Sequence, residues 1–347
     1  MPSGAVFALS AALLFGLGTP LAKLLLANVH PLMLAALLYL GSGLGLALLR
    51  MLRHQPRQLP RGRQWFWLAG AVLSGGVAGP VLLMLGLSGF SASGASLLLN
   101  SEAVFTALLA WFVFKENFDR RIALGMLAIV SGALVLSWPG GAGPGGGDLT
   151  SALLIVAACL AWGIDNNLTR KISLTDASFI AMSKGLSAGT VSLLLAWLAG
   201  ATLPTFTLTA QAMLLGFASY GASLVLFVLA LRHLGSARTG AYFSVAPFAG
   251  ALLSVPLLGE PVTAPLLLGG FLMSIGVVLH LSERHMHEHG HAVVTHEHEH
   301  THGDDPHHVH EHAGPVAPGA RHSHVHAHQP LRHAHAHFPD AHHRHEH

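Results

Sequence analysis

The chain has 347 residues, 52% of them hydrophobic and only 10% charged, with a formal net charge of +2. Residues 1 to 282 carry just 21 Asp, Glu, Lys and Arg side chains, too few to give a folded body of that length a water-dispersing surface. A soluble globular core is therefore excluded, a lipid bilayer is the expected surrounding, and no nucleic-acid partner is expected.

The amino terminus, "MPSGAVFALSAALLFGLG", has no basic leading segment and merges into a long apolar run, so it reads as a first membrane helix and not as a cleaved signal peptide. About 20 apolar residues span a bilayer as a helix. Charges, prolines and glycine clusters divide the core into ten such runs, near residues 4 to 27, 31 to 50, 64 to 87, 91 to 114, 121 to 138, 149 to 170, 177 to 199, 210 to 231, 239 to 258 and 262 to 282. No period-2 pattern of a membrane barrel strand competes with this reading, and helices satisfy their own backbone groups in hydrocarbon. Gly41 and Gly45, Gly75 and Gly79, and Gly185 and Gly189 stand four apart, a spacing that allows close helix approach. The sole cysteine, Cys159, permits no intrachain disulfide.

Cationic residues alternate between connections. The second holds Arg50, Arg53, Arg57, Arg61 and Arg63, the fourth Lys115, Arg120 and Arg121, the sixth Arg170 and Lys171, the eighth Arg232 and Arg238, and the odd connections hold none. Positive loops stay in the cytoplasm, so the chain is expected as a multi-pass protein of a bacterial inner membrane with both termini cytoplasmic.

One spacing occurs twice. Ala107-Leu108-Leu109, Glu116, Leu124-Gly125 and Gly132 recur 144 residues later as Ala251-Leu252-Leu253, Glu260, Leu268-Gly269 and Gly276. Phe15-Gly16 with Lys23 corresponds to Trp162-Gly163 with Arg170 at an offset of 147. The organisation expected is a five-helix repeat over residues 1–138, a Gly/Pro-rich linker over 139–148, a second repeat over 149–282 and a histidine-rich tail over 283–347. Because five is odd, the second repeat enters the membrane from the opposite face. Inverted repeats are the usual construction of secondary transporters.

The stretches "NSEAVFTALLAWFVFKENFDRRIALGMLAIVSGALVL" and "SVAPFAGALLSVPLLGEPVTAPLLLGGFLMSIGVVL" resemble the carboxy-terminal parts of paired EamA domains, the repeat of the drug/metabolite transporter superfamily. The resemblance covers residues 1 to 282 and departs at Ala103, where the first repeat often has proline, as Pro247 is here. It implies an all-α membrane fold of ten helices and the outward movement of small solutes. Some members of the superfamily accompany nickel and cobalt resistance systems, and a histidine-rich tail looks like what such a member would carry.

Ionisable groups inside membrane helices are costly to bury and are candidate pathway residues. Glu102 lies about 18 Å of helical rise from the cytoplasmic end of its helix, near the midplane. It can bind a cation or carry a proton, or form a fixed interhelical hydrogen bond. Asp165 and Asn166 in the sixth helix and Lys184 in the seventh complete the expected pathway set. Asp165 lines the pathway or pairs with Arg170. Lys184 pairs with Glu102 or Asp165, or snorkels to the headgroups, which is favoured here and for Lys23. Asn100 reads as structural, Asp165, Asn166 and Asn167 cannot all face one cavity because helix neighbours diverge by about 100 degrees, and Pro20, Pro80 and Pro247 each release the carbonyl four residues back.

Of the 27 histidines, all but His30, His54, His233 and His280 lie between His285 and His347, dispersed among Glu, Ala, Val, Pro and Asp. Such a tail is too polar for a packed core and is expected to be disordered without metal. Imidazole is a preferred ligand of nickel, cobalt, zinc and copper, so His296, His298, His300, His302, His307, His308, His310, His312, His322, His324, His326 and His328 are the expected metal ligands. No cofactor is required by any motif. No Walker loop, nucleophile elbow or metal-hydrolase signature occurs, so an enzyme or ATP-driven pump is not expected. The sequence thus points to a secondary-active exporter, of nickel, cobalt or zinc with the tail capturing cargo, or of an amino acid, metabolite or drug with the tail buffering metal. The residues are silent on oligomeric state.

Overall fold

A computed structural model describes residues 3–52, 60–114, 120–138, 148–172, 176–227, 229–230 and 242–281 of the body. In the tail it describes the backbone of 285–291, 295–301, 321–327 and 331–337. Among the described residues, ten helical spans follow in order: α1 (Ser3–Leu26), α2 (Pro31–Leu52), α3 (Gln64–Ser88), α4 (Ala92–Val113), α5 (Arg120–Ser137), α6 (Leu149–Arg170), α7 (Ala177–Leu198), α8 (Phe206–Phe227), α9 (Ala246–Leu258) and α10 (Ala264–Leu281). Seven are long and apolar enough to cross a bilayer, and α5, α9 and α10 are shorter apolar helices. The body is that of an all-α integral membrane protein.

Local chemistry sets the helix ends. Ser91, Asp148, Asp176 and Thr205 accept backbone N–H groups in the first turns of α4, α6, α7 and α8. Gly259, at φ +64°, takes the left-handed conformation that terminates α9. Pro247 was expected to free a carbonyl in mid-helix. It sits instead in the first turn of α9, where a missing N–H removes no helix bond.

Two helices contain a π-register segment, Val72–Ala78 in α3 and Phe217–Ala222 in α8. These are the third helices of the two halves. The packing obeys the same correspondence: α1 lies on α9 as α6 lies on α4, α3 on α6 as α8 on α1, and α2 on α8 as α7 on α3, while α2 with α7 and α5 with α10 pair across the halves.

Glycine makes the tightest crossings possible. A Cβ on Gly163 would lie 2.9 Å from the Phe105 Cβ, and one on Gly250 would lie 2.7 Å from both the Gly16 oxygen and Ser96 Oγ. All six glycines of the spaced pairs sit at such contacts: Gly41 and Gly45 against Met213 and Phe217, Gly75 and Gly79 against Asp165 and Trp162, Gly185 and Gly189 against Gly43 and Leu40.

Within the tail, β1 (His285–His291) pairs antiparallel with β4 (Leu331–His337), and β2 (Thr295–Thr301) with β3 (Arg321–Ala327). Histidine alternating with Ala, Glu, Ser or Val carries the period of a strand, which composition alone conceals.

Candidate functional site

The site grows from the crossing of α4 and α6. The helix of α4 is interrupted at Leu99–Asn100 and resumes at Ser101, so Glu102 stands in the first turn of the second segment. Asn166 Nδ2 donates to Glu102 Oε1 at 2.7 Å and to Thr106 Oγ1 at 3.2 Å. Asn167 Nδ2 donates to the Thr106 oxygen at 3.2 Å and to the Gly163 oxygen at 2.9 Å, which ties the two backbones together. Glu102 is half-buried and Asn166 exposed, so this part of the site is reachable.

Asp165, one residue earlier, points to a different surface and is buried. Its Oδ2 is ion-paired with Lys184 Nζ of α7, and its Oδ1 accepts from Thr169 Oγ1 at 2.8 Å. Snorkelling was favoured for Lys184; the pairing wins because a buried carboxylate without a counter-charge is strongly destabilising. Asp165 is paired with Lys184; the side chain of Arg170, the other partner expected for it, lies outside the described residues.

Beside this pair lies an oxygen that sequence reading did not single out. The Gly75 carbonyl accepts from Tyr39 Oη at 3.0 Å and from Trp162 Nε1 at 2.9 Å, so α2, α3 and α6 meet there. The Gly75 Cα faces the Asp165 carboxylate so closely that a Cβ would overlap it. The signals were present: Trp162 belongs to the repeated aromatic-glycine pair, and "SGGVAGP" places Pro80 after a glycine cluster.

The equivalent crossing of α1 and α9 carries no charged side chain in its lining. Its recess is lined by Phe15, Gly16, Thr19, Ser96, Leu99, Ala246 and Pro247. At the repeat offsets, Ala246 stands for Glu102, Gly18 for Asp165 and Thr19 for Asn166. One crossing of two carries the charged groups.

Comparison with known proteins follows from this arrangement. The EamA-like transporter family matches residues 2–138 and 149–282. The chain belongs to the EamA-like transporter family. An uncharacterized transporter of Methanothermobacter thermautotrophicus is 28% identical over 294 residues, covering 80% of this chain and 85% of that protein. A solved crystal structure with 18% identity superposes at a TM-score of 0.60 over 80% of this chain and 96% of that one, a likeness of fold.

In this EamA-like transporter, the expected residues Glu102, Asp165, Asn166 and Lys184 fall into two adjacent groups, Glu102 with Asn166 and Asp165 with Lys184. Asn100 is structural, its Nδ2 donating to the Leu97 oxygen at 2.9 Å. Lys23 does not merely reach for headgroups: its Nζ donates to the Leu87 and Ser88 oxygens at 2.6 and 3.1 Å, at the end of α3. Among the described residues, no group of three or more His, Cys, Asp or Glu is placed to hold a metal. Of the expected tail ligands, His302, His307, His308, His310, His312 and His328 lie outside the described residues. The backbones of His296, His298 and His300 stand in β2 opposite His326, His324 and His322 in β3.

Proposed function

We propose that this transporter is a secondary-active exporter of small cations, with divalent nickel, cobalt and zinc as its cargo, residing in a bacterial inner membrane with both termini in the cytoplasm. The carrying observation is the pair of carboxylates, Glu102 and Asp165, borne by helices that cross, with Lys184 paired to Asp165. Oxygen donors without a preformed metal cage suit transient passage, which a carrier needs more than tight binding. The tail, requiring no resident cofactor, collects nickel, cobalt, zinc or copper through its histidines and delivers it to the cytoplasmic entry.

A second reading is the export of an amino acid or similar metabolite, with a tail that buffers metal. Lys184 favours it, because carboxylate and ammonium stand side by side, as recognition of a zwitterion requires. Cells expressing the chain are to be compared with empty-vector cells for accumulation of nickel, cobalt and zinc, with amino-acid efflux as the parallel measurement. Metal export requires lower metal content, abolished by Glu102→Gln. Equal metal content with enhanced amino-acid efflux establishes the second reading.

A further inference from the structure

The Gly75 carbonyl is withdrawn from its own helix. In the π-register segment of α3, the Gly79 N–H donates to the Ser74 oxygen, five residues back. The same register offers the Gly75 oxygen the N–H of residue 80, which is proline and has none. Tyr39 and Trp162 supply donors instead. The Asp165 carboxylate lies against the Gly75 Cα, and Asp165 itself is 5% exposed. A buried carboxylate in a low-dielectric surround is a seat for positive charge. Here the charge that occupies it belongs to the chain: the Lys184 ammonium.

Resting on the cation-export reading, we propose that Asp165 is a cation seat of the carrier, which Lys184 fills when cargo is absent and vacates as a positively charged cargo enters. An unpaired buried carboxylate is strongly unfavourable. With Lys184 seated, Asp165 stays paired while the empty carrier passes between its end states, so net efflux needs no returning cargo.

The test separates exchange from net flux in proteoliposomes loaded with nickel. Lys184→Met is expected to lower net efflux at least about tenfold more than it lowers nickel-for-nickel exchange, and Lys184→Arg is expected to restore net efflux. Net efflux by Lys184→Met equal to wild type overturns the proposal, as does joint loss of exchange and net efflux in a variant that remains monodisperse. A cargo-free arm stands apart from the export reading. Thr19→Cys, at the α1–α9 crossing, is labelled with a membrane-impermeant maleimide in empty vesicles, the native Cys159 being buried. Its labelling rate is expected to change several-fold with Lys184→Met and to return with Asp165→Asn/Lys184→Met, which neutralises the seat. Unchanged labelling in the first variant, or no return in the second, overturns the proposal even where wild type moves no nickel; wild type that moves no nickel but labels as expected overturns only the choice of cargo.

Discussion

Glu260 closes the amino-terminal end of a helix that begins 168 residues before it: its carboxylate accepts the Ser93 N–H at 2.9 Å, the Ser93 hydroxyl at 2.5 Å and the Ala92 N–H at 2.6 Å. The repeated Glu of the second half is thus a helix cap supplied from the α9–α10 turn. Glu260→Ala removes an acceptor from three donors. A lost cap costs about 1 kcal/mol, which in a chain of this size is a fall of roughly 2 to 4 °C in Tm. Thermal unfolding in detergent checks it, with Glu260→Gln falling less because one oxygen remains.

Gly75 is the position where a single methyl should cost most. Gly75→Ala drives a Cβ into the Asp165 carboxylate. Overpacking of this kind costs about 1 to 3 kcal/mol, and it displaces the ion pair as well. The expected outcome is a lower Tm together with loss of transport. Gly270→Ala is the control, since a Cβ there meets only the Leu97 Cδ1 at 3.3 Å, the end of a flexible side chain.

Asp176 links α7 to α2 through Arg50, whose Nη1 lies 2.5 Å from its Oδ2, and it caps α7 by accepting the Ser178 and Phe179 N–H groups. Partial burial works against its charge, but the Arg50 and Ser178 hydrogen bonds prevail and hold its carboxyl below the usual carboxylate value. A depressed folded pKa contributes stability that is present above the unfolded value of about 3.9 and is lost as pH falls through the folded value. Tm should therefore decline in acid below about pH 4, and Asp176→Asn should start lower and lose this part of the slope.

The tail and the body are expected to separate functionally. Deletion of residues 285–347 should abolish most nickel binding in calorimetry while leaving the Tm of the body unchanged and residual efflux measurable. Binding by the full chain should weaken as pH drops below about 6.5, where imidazole takes up a proton.

Ten helices were legible because hydrocarbon imposes a length and a composition that few other constraints blur. Glycines at helix crossings recur wherever backbones touch, and Gly16 and Gly163, which the repeated spacing aligns, do so at the α1–α9 and α4–α6 crossings. Glu102, Asp165, Asn166 and Lys184 stood out as polar groups in apolar runs. Their partners did not, since the pairing of Lys184 with Asp165 depends on how α6 faces α7. The Gly75 carbonyl was hidden because its exposure arises from a one-residue change of helix register. A proline at residue 80 pointed to a freed oxygen but, read in α register, to the wrong one.

The charged groups at one crossing and their uncharged counterparts at the other make the carrier lopsided within a symmetric frame. Exchanging the roles of the two halves does not return the same chemistry, so the inward-facing and outward-facing forms are not mirror images in energy. Such lopsidedness can give the two faces different half-saturating concentrations and different turnover rates. It cannot by itself choose the direction of net movement, because the equilibrium distribution of cargo is independent of the carrier. Direction must be taken from a gradient, and the asymmetric crossing fixes only how readily each side engages it.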